Sequence, residues 1–206
     1  MKMKMTTMIK RFVPMGMVFS CALVAVSLAG CQATAPAPVY PELTFQHLKS
    51  LSLNVVKLKS VNYYKPPMSA PNVDHLFPTS PAEALGSWAE DRLRAVGTNG
   101  FARFTILEAS VAETRLDMKK GVIGAFTKDQ SERYDAVLEA KLEILDDSGV
   151  SKGFASARVT RSVTVREDSS VNQREQAWFT LTEELMRDID AELEKNISLY
   201  LSGWLN

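Results

Sequence analysis

Few side chains in this chain of 206 residues could do chemistry. It has two cysteines, Cys21 and Cys31, and two histidines, His47 and His75. That is too few for a structural zinc site. Asp74-His75 invites a hydrolytic reading with a serine from elsewhere. Adjacent residues do not easily point at one another, however, and no G-x-S-x-G motif is present. No run matches a phosphate-binding loop or a dinucleotide-binding turn. The chain therefore reads as no enzyme, with no metal and no cofactor. Cys31 is the exception in position, since it directly follows Val26-Ser27-Leu28-Ala29-Gly30 at the end of an apolar run.

The elements that position Cys31 have the layout of a secretory leader: a basic start, an apolar middle and a small-residue end. Lys2, Lys4, Lys10 and Arg11 supply the charge, and no acid precedes Glu42. Phe12 to Leu28 is apolar apart from Ser20 and Ser27. A bilayer span needs about 20 apolar residues, and Pro14 and Gly16 shorten the usable run.

Leu28-Ala29-Gly30-Cys31 resembles the lipobox of bacterial lipoproteins, in which Leu and two small residues precede a cysteine. The resemblance implies signal-peptidase recognition at Leu28, Ala29 and Gly30, cleavage before Cys31 and a diacylglyceryl thioether on Cys31. The covalent lipid stands in place of any cofactor. Gln32 follows, where an Asp would resemble the inner-membrane retention signal of enteric bacteria. The expected location is the periplasmic face of the outer membrane, with the inner membrane as the alternative.

Removing the leader changes the charge. The whole chain carries 24 basic and 24 acidic side chains; four of the basic ones lie in the leader, which leaves 20 against 24, a formal −4. This argues against nucleic acid as a partner. Cys21 leaves with the leader, so the mature chain has no disulfide and relies on its core.

Residues 31–46 read as the lipidated Cys and a tether rich in Pro and Ala, and 47–206 as a single domain. Alternation at Leu51, Leu53 and Val55 slips phase at Val56 and Leu58, which predicts a strand over about 50–62 with a bulge near Val55–Val56. Ser80-Pro81-Ala82-Glu83 starts a helix through a capping box, whose stripe (Leu85, Trp88, Ala89, Arg92, Leu93, Val96) ends at Gly97. Phe101 to about Leu116 predicts a central strand, apolar on both phases. Tyr134, Ala136, Leu138, Ala140, Leu142 and Ile144 alternate cleanly. Asp146-Asp147-Ser148-Gly149 turns the chain into a fourth strand, Val150 to Val165, and pairing Leu145 with Val150 sets Glu143 against Lys152 and Leu142 against Gly153. A helix over about 171–201, capped by Ser169 or Ser170, carries a stripe from Trp178 to Trp204 and an acidic outer face (Glu183, Glu184, Asp188, Asp190, Glu192, Glu194).

The order β-α-β-β-β-α predicts an α+β two-layer sandwich: a four-stranded, mostly antiparallel sheet with two helices on one face. The layout resembles small envelope accessory lipoproteins, such as the lipopolysaccharide-assembly lipoprotein and the auxiliary lipoproteins of ABC-type lipid transporters. It implies a non-enzymatic, membrane-anchored component of an envelope transport or assembly system, held by acylated Cys31 and docking on an envelope protein. The candidate contact is the apolar loop Gly121, Val122, Ile123, Gly124 and Phe126. The alternative is a carrier of a lipid or other hydrophobic ligand, with a cavity over the small residues Ala136, Ala140, Gly153, Ala155 and Ala157. Lys152, Arg158 and Arg166 could meet an anion, but Glu139 and Glu143 across the strand make a paired, solvated face the better expectation.

Overall fold

In the computed structural model, residues 39–116 and 130–206 are described. The strands are β1 (Leu51–Leu53), β2 (Lys57–Asn62), β3 (Leu93–Ala95), β4 (Phe101–Arg115), β5 (Gln130–Leu145) and β6 (Ser151–Arg166); the helices are α1 (Pro81–Arg92) and α2 (Val171–Tyr200). The main sheet has the order β2-β4-β5-β6, with β2 parallel to β4 and the rest antiparallel. Both helices pack on one face of it, giving the expected α+β fold.

Both helix starts follow from local chemistry. The Ser80 hydroxyl accepts from the Glu83 N–H while the Glu83 carboxylate accepts from the Ser80 N–H, and Ser170 and Gln173 repeat the arrangement at α2. Two of the orphan donors at each helix start are thereby satisfied. The α2 stripe buries Leu181, Leu185, Ile189, Leu193 and Ile197. The sheet answers with Phe104, Leu138 and Leu142, none of them exposed, and Trp88 of α1 meets Phe104 at 5.4 Å between ring centres.

The first strand breaks where the phase slip predicted, but into two strands in different sheets. β1 pairs with β3 in a small parallel sheet, while β2 joins the main one. β3 is the larger surprise, because α1 stops at Arg92 and does not run on to Gly97. Leu93, 2 % exposed, sits opposite Leu51. The N–H groups of Val96 and Gly97 donate to the carbonyls of Leu53 and Val55, each at 2.9 Å, in place of helical partners. Gly97 is needed for a different reason than a helix stop. A Cβ there would fall on the Asn54 side chain and backbone and lie 2.6 Å from the Val55 nitrogen.

Two register details also differ from expectation. The two-phase pattern of β4 arises from a bulge between Ile106 and Glu108. It leaves Leu107 exposed at 38 % and returns Ala109 and Val111 to the inner face. The β5–β6 hairpin is offset by two residues, so Glu143 pairs with Phe154 and Leu142 with Ala155. The cause is the turn, where the Asp146 N–H donates to the Val150 carbonyl and Gly149 takes φ +80°. A further irregularity follows between Ile144 and Leu145. An offset of two keeps every side chain on its expected face, because the strand period is two.

The compact unit takes in residues 39–46, which the sequence assigned to the tether. Phe45 is buried, and its N–H donates to the Asp91 carboxylate at 2.8 Å.

Candidate functional site

Leu28, Ala29, Gly30 and Cys31 lie outside the described residues, as do Gly121, Val122, Ile123, Gly124 and Phe126. The described residues that flank these segments, Tyr40 on one side and Leu116 and Gln130 on the other, lie at one end of the sheet. At that end β4 finishes and β5 begins: Arg115 is opposite Glu132, and the Leu116 N–H donates to the Ser131 carbonyl at 2.9 Å. The start of α2 is clamped there by Arg174, whose Nε and Nη2 donate to the two carboxylate oxygens of Glu132 at 2.9 and 3.0 Å. The chain enters the unit at the same place. The Tyr40 ring lies 5.2 Å from that of Phe179, and its hydroxyl is directed at the Asn172 carbonyl at 3.5 Å.

A stack of rings supports this end. Phe77 lies flat on Trp178 at 4.9 Å, and Trp178 meets Tyr134 edge-on at 5.5 Å. The Tyr134 hydroxyl donates to Glu132 at 2.8 Å, and that of Tyr64 donates to the buried carboxylate of Asp74 at 3.1 Å. Burial first, then the facing carboxylates, pushes both phenols well above the ordinary tyrosine range. A raised folded pKa means stability that is complete below the unfolded pKa of about 10 and is lost as pH rises through the folded value. The urea midpoint should therefore fall steadily above pH ~10, and a Tyr64→Phe, Tyr134→Phe double variant should flatten that decline. An unchanged slope in the double variant would remove these phenols as its cause.

The Asp74-His75 pair gives no catalytic arrangement. Asp74 is turned to Tyr64, and both residues lie in a short 3-10 turn, Asp74–Leu76. Among the described residues no cluster of three or more His, Cys, Asp or Glu is placed to hold a metal.

The cations of β6 are paired, but only Glu139 is a partner the sequence expected, since Glu143 meets Arg103 and Lys141 instead of Lys152. Arg158 bonds Glu108 at 2.6 Å and also Glu139, Lys152 meets Asp146 at 2.9 Å, and Arg166 meets Asp168 at 3.1 Å. Sequence reasoning missed Arg161. It sits among the valines of the inner phase and forks onto Asp188, at 2.6 and 3.1 Å, and onto Glu184 at 3.1 Å. The acidic face of α2 is thus not simply solvated: Glu184 and Asp188 meet β6, while Asp190 and Glu194 meet Arg92 of α1. A cation in an otherwise apolar phase, with acids spaced i, i+4 on the final helix, was the available signal.

The small inner-face residues are covered by other side chains. Ala136, Ala140, Ala155 and Ala157 are buried. A Cβ on Gly153 would come within 3.2 Å of Leu201 and 3.4 Å of Trp204. Small residues there let α2 and the segment after it approach the sheet closely. The surface grooves among the described residues include two on the helix side. The first, about 320 Å³, lies between residues 43–48 and α2 and includes Leu43, His47, Met186 and Asp190. The other, about 580 Å³, lies between β6 and the end of α2 and exposes Phe154 and Tyr200.

Neither the family models nor the curated proteins compared with the chain contain a match. Among solved structures, the chain is similar to a DUF330-family protein from Xanthomonas campestris at 9% identity and a TM-score of 0.29, covering 81% of this chain and 95% of that one. It is similar to a minor lipoprotein from Acinetobacter baumannii at 15% identity and a TM-score of 0.28, covering 68% and 93%. A structure named as a lipoprotein from Caulobacter crescentus gives 14% identity and a TM-score of 0.30, covering 67% and 90%. Likenesses this loose carry no argument about fold or function.

Proposed function

We propose that this chain is a lipid-anchored lipoprotein of the cell envelope that works by contact and not by covalent chemistry. The observation that carries the reading is Leu28-Ala29-Gly30-Cys31, placed at the end of a basic and then apolar leader. Two features of the folded unit support it. No helix among the described residues is long and apolar enough to cross a membrane, so placement falls to the residues before Tyr40. The inner face of the sheet is closed by Leu201 and Trp204 near Gly153, which favours an accessory or interaction role over carriage of a hydrophobic ligand. The finer reading is an outer-membrane lipoprotein facing the periplasm, serving an envelope transport or assembly machine of the kind that uses lipopolysaccharide-assembly or ABC-transporter auxiliary lipoproteins. Gln32 in place of an Asp supports the outer membrane.

Intact mass spectrometry of protein extracted from membranes tests the anchor. The expected species begins at Cys31 and carries the mass of a diacylglyceryl group; a mature chain that begins elsewhere, or carries no lipid, rejects it. The same extract, crosslinked before solubilisation, tests the role. A stoichiometric envelope protein is the expected product, and a co-purifying free lipid without one would favour the carrier reading.

A further inference from the structure

The route of the chain into the folded unit constrains how that unit can stand on a membrane. Tyr40 is held beside Asn172 and Phe179, at the start of α2. From there the chain runs along the helices: Phe45 bonds Asp91, the Lys49 carbonyl accepts from Arg92 at 2.5 Å, and Leu51 pairs with Leu93. Going upstream, the chain therefore travels towards the end where β4 passes into β5 and α2 begins.

Lengths decide between the two ends. Nine residue steps separate Cys31 from Tyr40, and a fully extended chain covers at most about 3.6 Å per residue, or ~32 Å. The 21 steps of helix from Phe179 to Tyr200 already span ~32 Å at about 1.5 Å each. The Asp146–Val150 turn lies farther still, because Gly153 of β6 packs on Leu201, just past the end of α2, and the turn precedes it. A pose with that turn on the bilayer would need more chain than the tether contains.

We infer that the end of the domain formed by Leu116, Ser131, Glu132 and the first turn of α2 is its membrane-facing surface, with a lipid bilayer as its partner, and that the Asp146–Val150 turn is presented away from the membrane. The inference rests on the lipid anchor at Cys31 proposed above. Val171, 65 % exposed in the first turn of α2, and Val39, 94 % exposed just before Tyr40, offer apolar contact at that end. Three ion pairs also lie at this end, Arg174 with Glu132, Arg133 with Asp135 and Arg166 with Asp168.

The chain offers a direct test, because the thioether at Cys31 leaves no free thiol in the mature protein. The lipidated protein is prepared as Val171→Cys and, separately, as Ser148→Cys; both sites are exposed. Each is labelled with a fluorophore and placed in vesicles of phosphatidylethanolamine and phosphatidylglycerol containing a headgroup nitroxide lipid. Quenching should be several-fold stronger at position 171 than at 148. Equal or reversed quenching in protein that floats with the vesicles overturns the orientation while leaving the anchor intact. Protein that does not float overturns the anchor, and the orientation with it.

Discussion

A chain carrying Cys31→Ser behind a leader cut by the ordinary signal peptidase should move from the membrane fraction to the soluble one. The effect should be close to all-or-none. Each buried CH2 contributes about 0.8 kcal/mol, yet a single acyl chain gives only marginal, reversible binding, and durable anchoring takes two or more. Serine cannot form the thioether that would carry two of them. No described helix is long and apolar enough to cross a bilayer. The leader must be exchanged in this experiment, because an uncut apolar segment over 12–28 could itself hold the chain at the membrane. Fractionation after a high-salt wash reads the result. If the variant still sediments with membranes, something other than the lipid holds the protein there.

Arg92→Leu should cost about 3 kcal/mol of unfolding free energy, the lower end of the loss seen when one partner of a buried ion pair is removed. Arg92 is only 2 % exposed. Its Nη2 reaches Glu194 at 2.5 Å, its Nη1 donates to the Lys49 carbonyl, and its Nε lies 3.3 Å from Asp190, in ion-pair range but not aligned as a hydrogen bond. Asp190 also accepts from Trp88 Nε1 at 2.7 Å. One guanidinium thus joins α1, α2 and the incoming chain. Removing it strands the Asp190 carboxylate, which is 18% exposed, whereas Glu194, at 51%, can turn to water. That difference places the expected loss at the low end of the range. Arg92→Lys should recover part of it, because an ammonium keeps the charge but not the planar fork. Urea unfolding followed by tryptophan fluorescence measures the series. A loss below about 1 kcal/mol, the scale of an exposed pair, would mean that the triad contributes no more than a surface contact.

How much of this was legible in the sequence depended on how local the controlling interaction is. The Ser80 capping box, the capping serine of α2, the alternation of β5 and the α2 stripe were readable because each rests on neighbours within a few residues. So was the break at Val55–Val56. β3 was not readable, because Leu93 and Val96 fit a helical stripe as well as they fit a strand. The deciding partners are Leu51, Leu53 and Val55, some forty residues earlier in the chain. The two-residue offset of the β5–β6 hairpin was hidden for a related reason. Any even shift preserves the apolar pattern, so only the Asp146–Val150 turn could fix the register. Arg161 was hidden by its charge, which reads as surface until an acid on a distant helix is placed beside it; Arg92 fell in the helical stripe, but its partners Asp190 and Glu194, about a hundred residues later, did not show. For the lipobox, the motif itself is wholly legible, and what surrounds it is short enough for chain length alone to set limits.

Under the lipid anchor proposed at Cys31, the outer side of β6 has a further consequence. The strand is 16 residues long and closes the main sheet, and among the described residues no strand pairs with its far edge. Tethered molecules are confined to a plane, where neighbours meet side-on far more often than they would in bulk solution. Bare edges in such a crowd could join sheet to sheet. β6 itself carries Lys152, Arg158, Arg161 and Arg166, and charged side chains along an edge strand discourage such pairing. The Asn196 amide, donating to the Ser156 carbonyl at 2.8 Å, also occupies an acceptor that a neighbour would need. Both features blunt the β6 edge against joining to a neighbouring sheet.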